Sequence, residues 1–270
     1  MDETQSRETG VAPVNGAKLY YEIAGSGRPL VLLHAGLMDC RMWDDQFSDF
    51  AQHYRVIRYD LRGYGKPDWP AALYAHEEDL RGLLQFLGIQ KATLMGVSLG
   101  GRTALDFALH YPEMVEALIP VAAGVSGYQW PDSPARAEIE AAEKVGDIGK
   151  IAELLTRIWV DGPNRAPDEV DARIRERVKA MTTEMLSRSN PEPDPPEQEL
   201  QPPALSRLHE IQAPTLILVG ALDVVDILVI ANLLQRQIPH ARTLLIPGAA
   251  HMVTMEEPGT VNQAVRNFLQ

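Results

Sequence analysis

The sequence predicts an α/β fold, a mostly parallel, doubly wound sheet with a helical cap inserted between two of its strands. Three observations carry this. Apolar runs such as Leu30-Val31-Leu32-Leu33 have the pattern of strands buried on both faces of a parallel sheet. Helix-periodic stretches alternate with these runs along most of the chain. The alternation stops between Gly124 and Leu208, where the chain becomes helical and charged, and then resumes.

The chain opens with an antiparallel hairpin: Val11 to Val14 and Leu19 to Ile23 flank Asn15-Gly16, the pair that favours a two-residue type I′ turn. Leu30 to His34 and Tyr54 to Tyr59 read as buried strands. A helix is expected over Leu73 to Leu87, stopped by Gly88. Lys91 to Met95 is a strand, and Arg102 to Leu109 a helix that ends near His110-Tyr111 because Pro112 disfavours helical geometry before it. Val115 to Ala122 is the next strand. Beyond the insertion come a strand at Thr215 to Val219, a helix at Val225 to Gln237, a strand at Arg242 to Ile246 and a helix at Val261 to Leu269. Within the insertion, Ala135 to Val145, Ile148 to Trp159 and Glu169 to Leu186 are candidate helices. Asn190 to Pro203, with six prolines and four acidic residues, is an extended connector. The expected division is a core of residues 11–123 and 209–270, a cap of residues 124–208, and a disordered segment at residues 1–10.

A chain of 270 residues can bury a full core, and 45% hydrophobic with 23% charged residues is ordinary globular composition. The formal charge of −12 excludes nucleic acid and anionic membranes as partners, since phosphates would be repelled. One cysteine, Cys40, permits neither an intrachain disulfide nor a thiolate zinc cluster, and without a glycine-framed turn around it Cys40 reads as a packing residue. No apolar run approaches the ~18 residues of a membrane span, and the polar start lacks the apolar core of a signal peptide. The expectation is a cytoplasmic protein with no metal and no cofactor.

Chemistry enters at Gly96-Val97-Ser98-Leu99-Gly100. A serine framed by glycines between a strand and a helix sits on a sharp turn with its hydroxyl exposed above the sheet. A serine hydroxyl is a weak nucleophile and needs a base and a group to orient that base. Of seven histidines, His251 lies just past the last strand; His53, His76, His110, His209 and His240 fall on helices, helix ends or surface connections. Asp223 leaves the end of the strand Thr215 to Val219, whereas Asp226 reads as an acid in the first turn of the next helix. Ser98, Asp223 and His251 are therefore the candidate catalytic residues. Backbone amides of Leu99 and of Gly36 are the candidate oxyanion donors, with Leu37 the alternative to Gly36. His34 reads as a structural residue tying down the Gly36 loop.

On these residues the chain resembles the α/β-hydrolase superfamily, in the branch of small bacterial serine esterases, lactonases and cofactor-free perhydrolases. His34-Ala35-Gly36 with Trp43, Asp60-Leu61-Arg62-Gly63-Tyr64-Gly65, Gly96 to Gly101, Gly220 to Asp223 and Gly248 to Pro258 carry the resemblance. It departs from the family's pattern in having Ala35 where glycine is usual and Lys66 where serine is common. Relatives that dehalogenate alkanes carry aspartate at the position of Ser98; a serine there implies an acyl-enzyme. The resemblance, to enol-lactonases and acyl-homoserine lactone hydrolases among others, implies a small-molecule ester or lactone as substrate. The large apolar residues Leu37, Trp130, Trp159, Met181, Met185 and Met252 are the candidate pocket. A carbon–carbon bond hydrolase of the meta-cleavage type and a non-enzymatic ligand receptor on the same fold are the alternatives.

Overall fold

The computed structural model describes residues 7–65, 73–188 and 197–270. Among these residues eight strands, numbered along the chain, form one sheet in the order β1-β2-β4-β3-β5-β6-β7-β8. β1 (Glu8–Val14) and β2 (Ala17–Ala24) make the predicted hairpin, with Asn15 at φ 47° and Gly16 at φ 79° supplying the two left-handed residues a type I′ turn requires. β2 also runs antiparallel to β4 (Arg55–Tyr59), and every later pairing is parallel. The sheet starts at Glu8, inside the segment expected to be disordered, because Glu8 to Gly10 pair with Tyr21 to Ile23. Residues 1–6 lie outside the described residues.

The parallel strands β3 (Pro29–Leu33), β5 (Ala92–Val97) and β6 (Val115–Val121) form the buried centre, and every side chain of β5 is buried. β7 (Leu216–Gly220) and β8 (Arg242–Ile246) continue it to the edge. β4 lies on one side of β3 and β5 on the other, so the strand order reverses at β3. Open α/β sheets form their crevice at such a reversal, beyond the carboxyl ends of the strands.

Helices α1 (Asp44–Phe50), α2 (His76–Phe86) and α3 (Leu99–His110) accompany the first half of the sheet. α1 carries no sequence signal: at seven residues it is too short to display a repeat, and the buried Trp43, Phe47 and Phe50 hold it in place. α2 starts three residues after Leu73, since Ala75 is extended and Leu73 is exposed. Between β6 and β7 lie α4 (Pro134–Lys144), α5 (Ile148–Thr156) and α6 (Ala172–Leu186). A single π-helical turn, Arg157–Asp161, prolongs α5. The predicted connector at Asn190 falls partly outside the described residues, as does Lys66. After β7 come α7 (Val225–Gln237), α8 (Val253–Glu256) and α9 (Pro258–Leu269). Among the described residues no helix is long and apolar enough to cross a membrane.

Two buried ion pairs fasten the hairpin side. Arg58 bonds Glu22 (2.6 Å) and Asp44 (2.6 Å), and its guanidinium lies 4.4 Å from the Phe47 ring centre. Arg62 grips both oxygens of Asp79 at 2.7 Å and reaches the Asn15 carbonyl at 3.0 Å, so the Asp60-to-Gly65 motif ties the hairpin turn to α2.

Candidate active site

Ser98 occupies the turn between β5 and α3 with φ 53° and ψ −109°, a conformation that L-residues avoid. The turn is pinned through its main chain. Ser98 N–H donates to the Val121 carbonyl (3.0 Å), and its own carbonyl accepts from Arg102 (2.9 Å) and Gly124 (3.1 Å). The glycines are required by close approach: a Cβ on Gly96 would meet the Gly100 carbonyl oxygen at 2.2 Å, and one on Gly100 the Leu33 carbonyl oxygen at 2.2 Å. Strain held by such packing is typical of nucleophile turns.

Asp223 and His251 come from the ends of β7 and β8 and are buried. His251 Nδ1 lies 2.9 Å from Asp223 Oδ2, and Asp223 Oδ1 accepts the Val224 N–H at 2.7 Å. Both carboxylate oxygens are thus committed, which fixes the orientation of the acid and of the ring. Gly220 makes the approach of the two loops possible, since a Cβ there would lie 2.1 Å from the Ala250 carbonyl oxygen. Asp226 is elsewhere, accepting the Tyr128 hydroxyl at 2.8 Å in the first turn of α7.

The loop after β3 brings Gly36 beside Leu99, whose side chain a Cβ on Gly36 would touch at 3.8 Å. Leu37 adopts φ 62°, while Ala35 does not take a positive φ and so tolerates its side chain. His34 holds this loop. Its Nε2 accepts the Leu61 N–H at 2.8 Å and its Nδ1 faces the Ala35 carbonyl at 2.7 Å. Complete burial holds its pKa below the usual histidine value, in keeping with a neutral ring in a structural place. Cys40 is buried, and burial pushes its thiol pKa up, which suits packing.

Ser98, Leu99, Gly36, Leu37, His251 and Met252 line one cavity of about 330 Å³. From the insertion come Leu155, Trp159, Val178 and Thr182. Trp159 projects from the π-helical turn, and its ring centre is 4.4 Å from that of His251. π-Turns recur at functional positions because the extra residue re-aims a side chain.

The other expected pocket residues do not line this cavity. Met181 is packed in the core and Met185 is half-buried on α6; Val178 and Thr182 face the cavity instead, because the helix presents that side. Trp130 is exposed, stacks edge-on against Tyr128, and borders a neighbouring apolar groove of about 630 Å³ that shares Leu155 and Trp159 with the cavity. Arg102, Glu197 and Tyr64 also line the cavity, and sequence reasoning missed them as site residues. A signal for Arg102 exists in its spacing, one helical turn beyond Ser98. Glu197 carries none.

Arg165 joins the insertion to the histidine loop. It donates to the Val160 (2.6 Å) and Asp161 (2.9 Å) carbonyls on one side, and to the Gly248 carbonyl (2.9 Å) and Glu256 Oε2 (2.7 Å) on the other. Glu256 Oε1 accepts the Ala250 N–H at 2.9 Å, directly before His251. Burial raises the Glu256 pKa above the usual carboxylate value against the opposing pull of Arg165.

Comparisons with known proteins find relatives of this chain and of its fold. A stretch of 114 residues, 41% of this chain, is 39% identical to an uncharacterized protein of Mycobacterium tuberculosis and spans about a third (33%) of that protein's length. Proline iminopeptidase of Lactiplantibacillus plantarum is 29% identical over 95% of this chain and 98% of its own. 3-Oxoadipate enol-lactonase 2 of Acinetobacter baylyi is 27% identical over 93% and 92%. Among solved structures, that of Est816, an N-acyl homoserine lactone degrading enzyme, superposes with a TM-score of 0.77 and 28% identity, covering 96% of this chain and all (100%) of the other. A family model for the alpha/beta hydrolase fold matches residues 28–258, which takes in the serine turn, the buried acid and the histidine loop alike: the chain belongs to the α/β-hydrolase family.

Proposed function

We propose that the protein is a cytoplasmic serine hydrolase of neutral carboxylic esters, acting on lactones such as an acyl-homoserine lactone in preference to short- or medium-chain open esters. One observation carries the reading. A strained, glycine-framed Ser98 and a buried Asp223–His251 pair open onto the same 330 Å³ cavity.

In this mechanism Ser98 Oγ attacks the carbonyl carbon while His251 Nε2 takes its proton. Asp223 keeps the Nδ1 proton in place and stabilises the imidazolium. The amides of Leu99 and Gly36 receive the oxyanion. Collapse expels the alcohol, protonated by His251, and water then cleaves the acyl-enzyme by the same steps reversed. The Trp159 ring covers one face of the imidazole and keeps bulk water from it. Residues 124–208 serve as the cap, and Leu155, Trp159, Val178 and Thr182 shape the acyl and alcohol sites.

The likeness to an acyl-homoserine lactone degrading enzyme and to an enol-lactonase supports the preference for lactones. The test is a panel of p-nitrophenyl esters and acyl-homoserine lactones, with a fluorophosphonate probe to count reactive serine. Stoichiometric labelling at Ser98 and turnover of the panel are expected, with Ser98→Ala losing at least about 10⁴-fold in kcat. Labelling without turnover would identify a ligand receptor, and turnover by Ser98→Ala near the parent rate would end the serine mechanism.

A further inference from the structure

Arg102 and Glu197 form an ion pair inside the cavity that the hydrolytic chemistry does not use. Arg102 lies one turn beyond Ser98, and its amide donates to the Ser98 carbonyl. Its Nη2 is 2.5 Å from each Glu197 oxygen, and the two side chains are only 19% and 24% exposed. Among the described residues, the buried Nε finds no hydrogen-bond partner and Nη1 has none either. Nε is enclosed, so Nη1 is the donor left over on a guanidinium that lines the same cavity as the nucleophile.

The charge balance decides what that donor pairs with. Glu197 already cancels the charge of Arg102. Behind it on α3, Asp106 is buried and bonded to Ser126 Oγ at 2.7 Å, close enough to Arg102 for the two charges to interact. A carboxylate entering the cavity gains no net cation and faces Glu197 across a desolvated space. A neutral oxygen with lone pairs, such as an amide or keto carbonyl, pairs with the spare donor without that repulsion.

We propose that the Arg102–Glu197 pair sets the charge selectivity of the site: Arg102 binds a second, neutral carbonyl oxygen of the substrate, remote from the scissile bond, and Glu197 excludes substrates bearing a carboxylate there. The inference rests on the ester-hydrolase reading and narrows its substrate class. It makes the pair a specificity determinant that leaves the bond-breaking steps to Ser98, Asp223 and His251.

Three p-nitrophenyl esters of matched length test it: the hexanoate, the adipamate, in which a primary amide replaces the terminal methyl, and the adipate monoester, in which a carboxylate does. The parent is expected to prefer adipamate and hexanoate over adipate. Glu197→Gln should raise the adipate-to-hexanoate ratio of kcat/KM at least about tenfold, the scale of one uncompensated charge at the effective dielectric of such sites, and chiefly through KM. Arg102→Gln should lower the adipamate-to-hexanoate ratio by about tenfold. Should either single variant fail to fold, the double variant Arg102→Leu/Glu197→Leu leaves no lone buried charge, and it should lower the adipamate-to-hexanoate ratio as Arg102→Gln does. Ratios within threefold of the parent, in variants that still cleave hexanoate, overturn the proposal and leave the esterase standing. A parent that cleaves none of the three esters overturns the ester reading, and the proposal with it.

Discussion

Asp223→Asn removes a charge and keeps the shape of the side chain, and the surroundings of Asp223 dictate how the site responds. Oδ1 accepts the Val224 N–H at 2.7 Å while Oδ2 faces His251 Nδ1 at 2.9 Å. Asparagine has one acceptor oxygen, and the Val224 amide claims it, since the opposite orientation would set two N–H groups against each other in a buried place. The asparagine NH₂ then points at Nδ1, which has to accept, so the imidazole proton moves to Nε2 and the ring can no longer take the proton of Ser98. The imidazolium also loses its counter-charge. At about 4 Å and an effective dielectric of 20 that interaction is worth about 4 kcal/mol, close to 10³ in rate. With the wrong tautomer added, kcat on p-nitrophenyl butyrate should fall by about 10³ to 10⁴. The assay measures steady-state kcat from pH 7 to 9 beside thermal unfolding of the same samples. A folded Asp223→Asn variant whose kcat stays within tenfold of the parent would refute this reasoning.

Burial and close approach set further expectations. Gly220→Ala sets a Cβ against the Ala250 carbonyl oxygen and forces the two loops apart, so thermal stability and kcat should fall together, and a parent-like Tm with parent-like activity would contradict the packing. Glu22→Ala strips Arg58 of its buried partner and should cost about 3–5 kcal/mol in urea unfolding, with kcat unchanged in the folded protein. Glu77 has its pKa raised to about 7, first by burial and then by the negative charges of Asp106, Glu197 and Glu78. A raised folded-state pKa means that its stability contribution is present below the ordinary carboxylate pKa and lost as the pH climbs through 7. Glu77→Gln should therefore stabilise the protein by as much as about 3 kcal/mol at pH 8, with the gain shrinking toward pH 5. A gain independent of pH would show that ionisation of Glu77 is not its source.

Residues whose place is set by local chain geometry are legible in the sequence. Asn15-Gly16 forces the hairpin, buried apolar runs have few homes outside a parallel sheet, and Gly96, Gly100 and Gly220 mark places where main chain meets main chain. Ser98 can be read because it directly follows such a strand, and Asp223 and His251 because they lie in the loops just past two others. The side chains of the insertion cannot. Met181 and Val178 sit on one helix with similar apolar character, and only the way α6 lies on its neighbours turns Val178 toward the cavity and Met181 into the core. α1 depends on Trp43 and Phe47 finding a tertiary surface, a non-local effect that no window of seven residues displays. Glu197 meets Arg102 across 95 positions of chain, and nothing short of the folded insertion announces that pair.

The four-way grip of Arg165 limits how the insertion can be exchanged between relatives. Its bonds to Val160 and Asp161 on one side, and to Gly248 and Glu256 on the other, make the exit of the π-helical turn and the histidine loop one mechanical unit. A graft that replaces residues 129–159 leaves this unit whole, keeps the Gly124 bond to Ser98 and the Ser126 bond to Asp106, and changes mainly what the cavity sees. A graft cut beyond Arg165 deprives Glu256 of its partner and loosens the loop that aims His251, unless the donor brings a matching arginine and acid together. The useful boundary for swapping substrate preference on this scaffold therefore lies ahead of Val160, well inside the stretch that alternation alone marks as inserted.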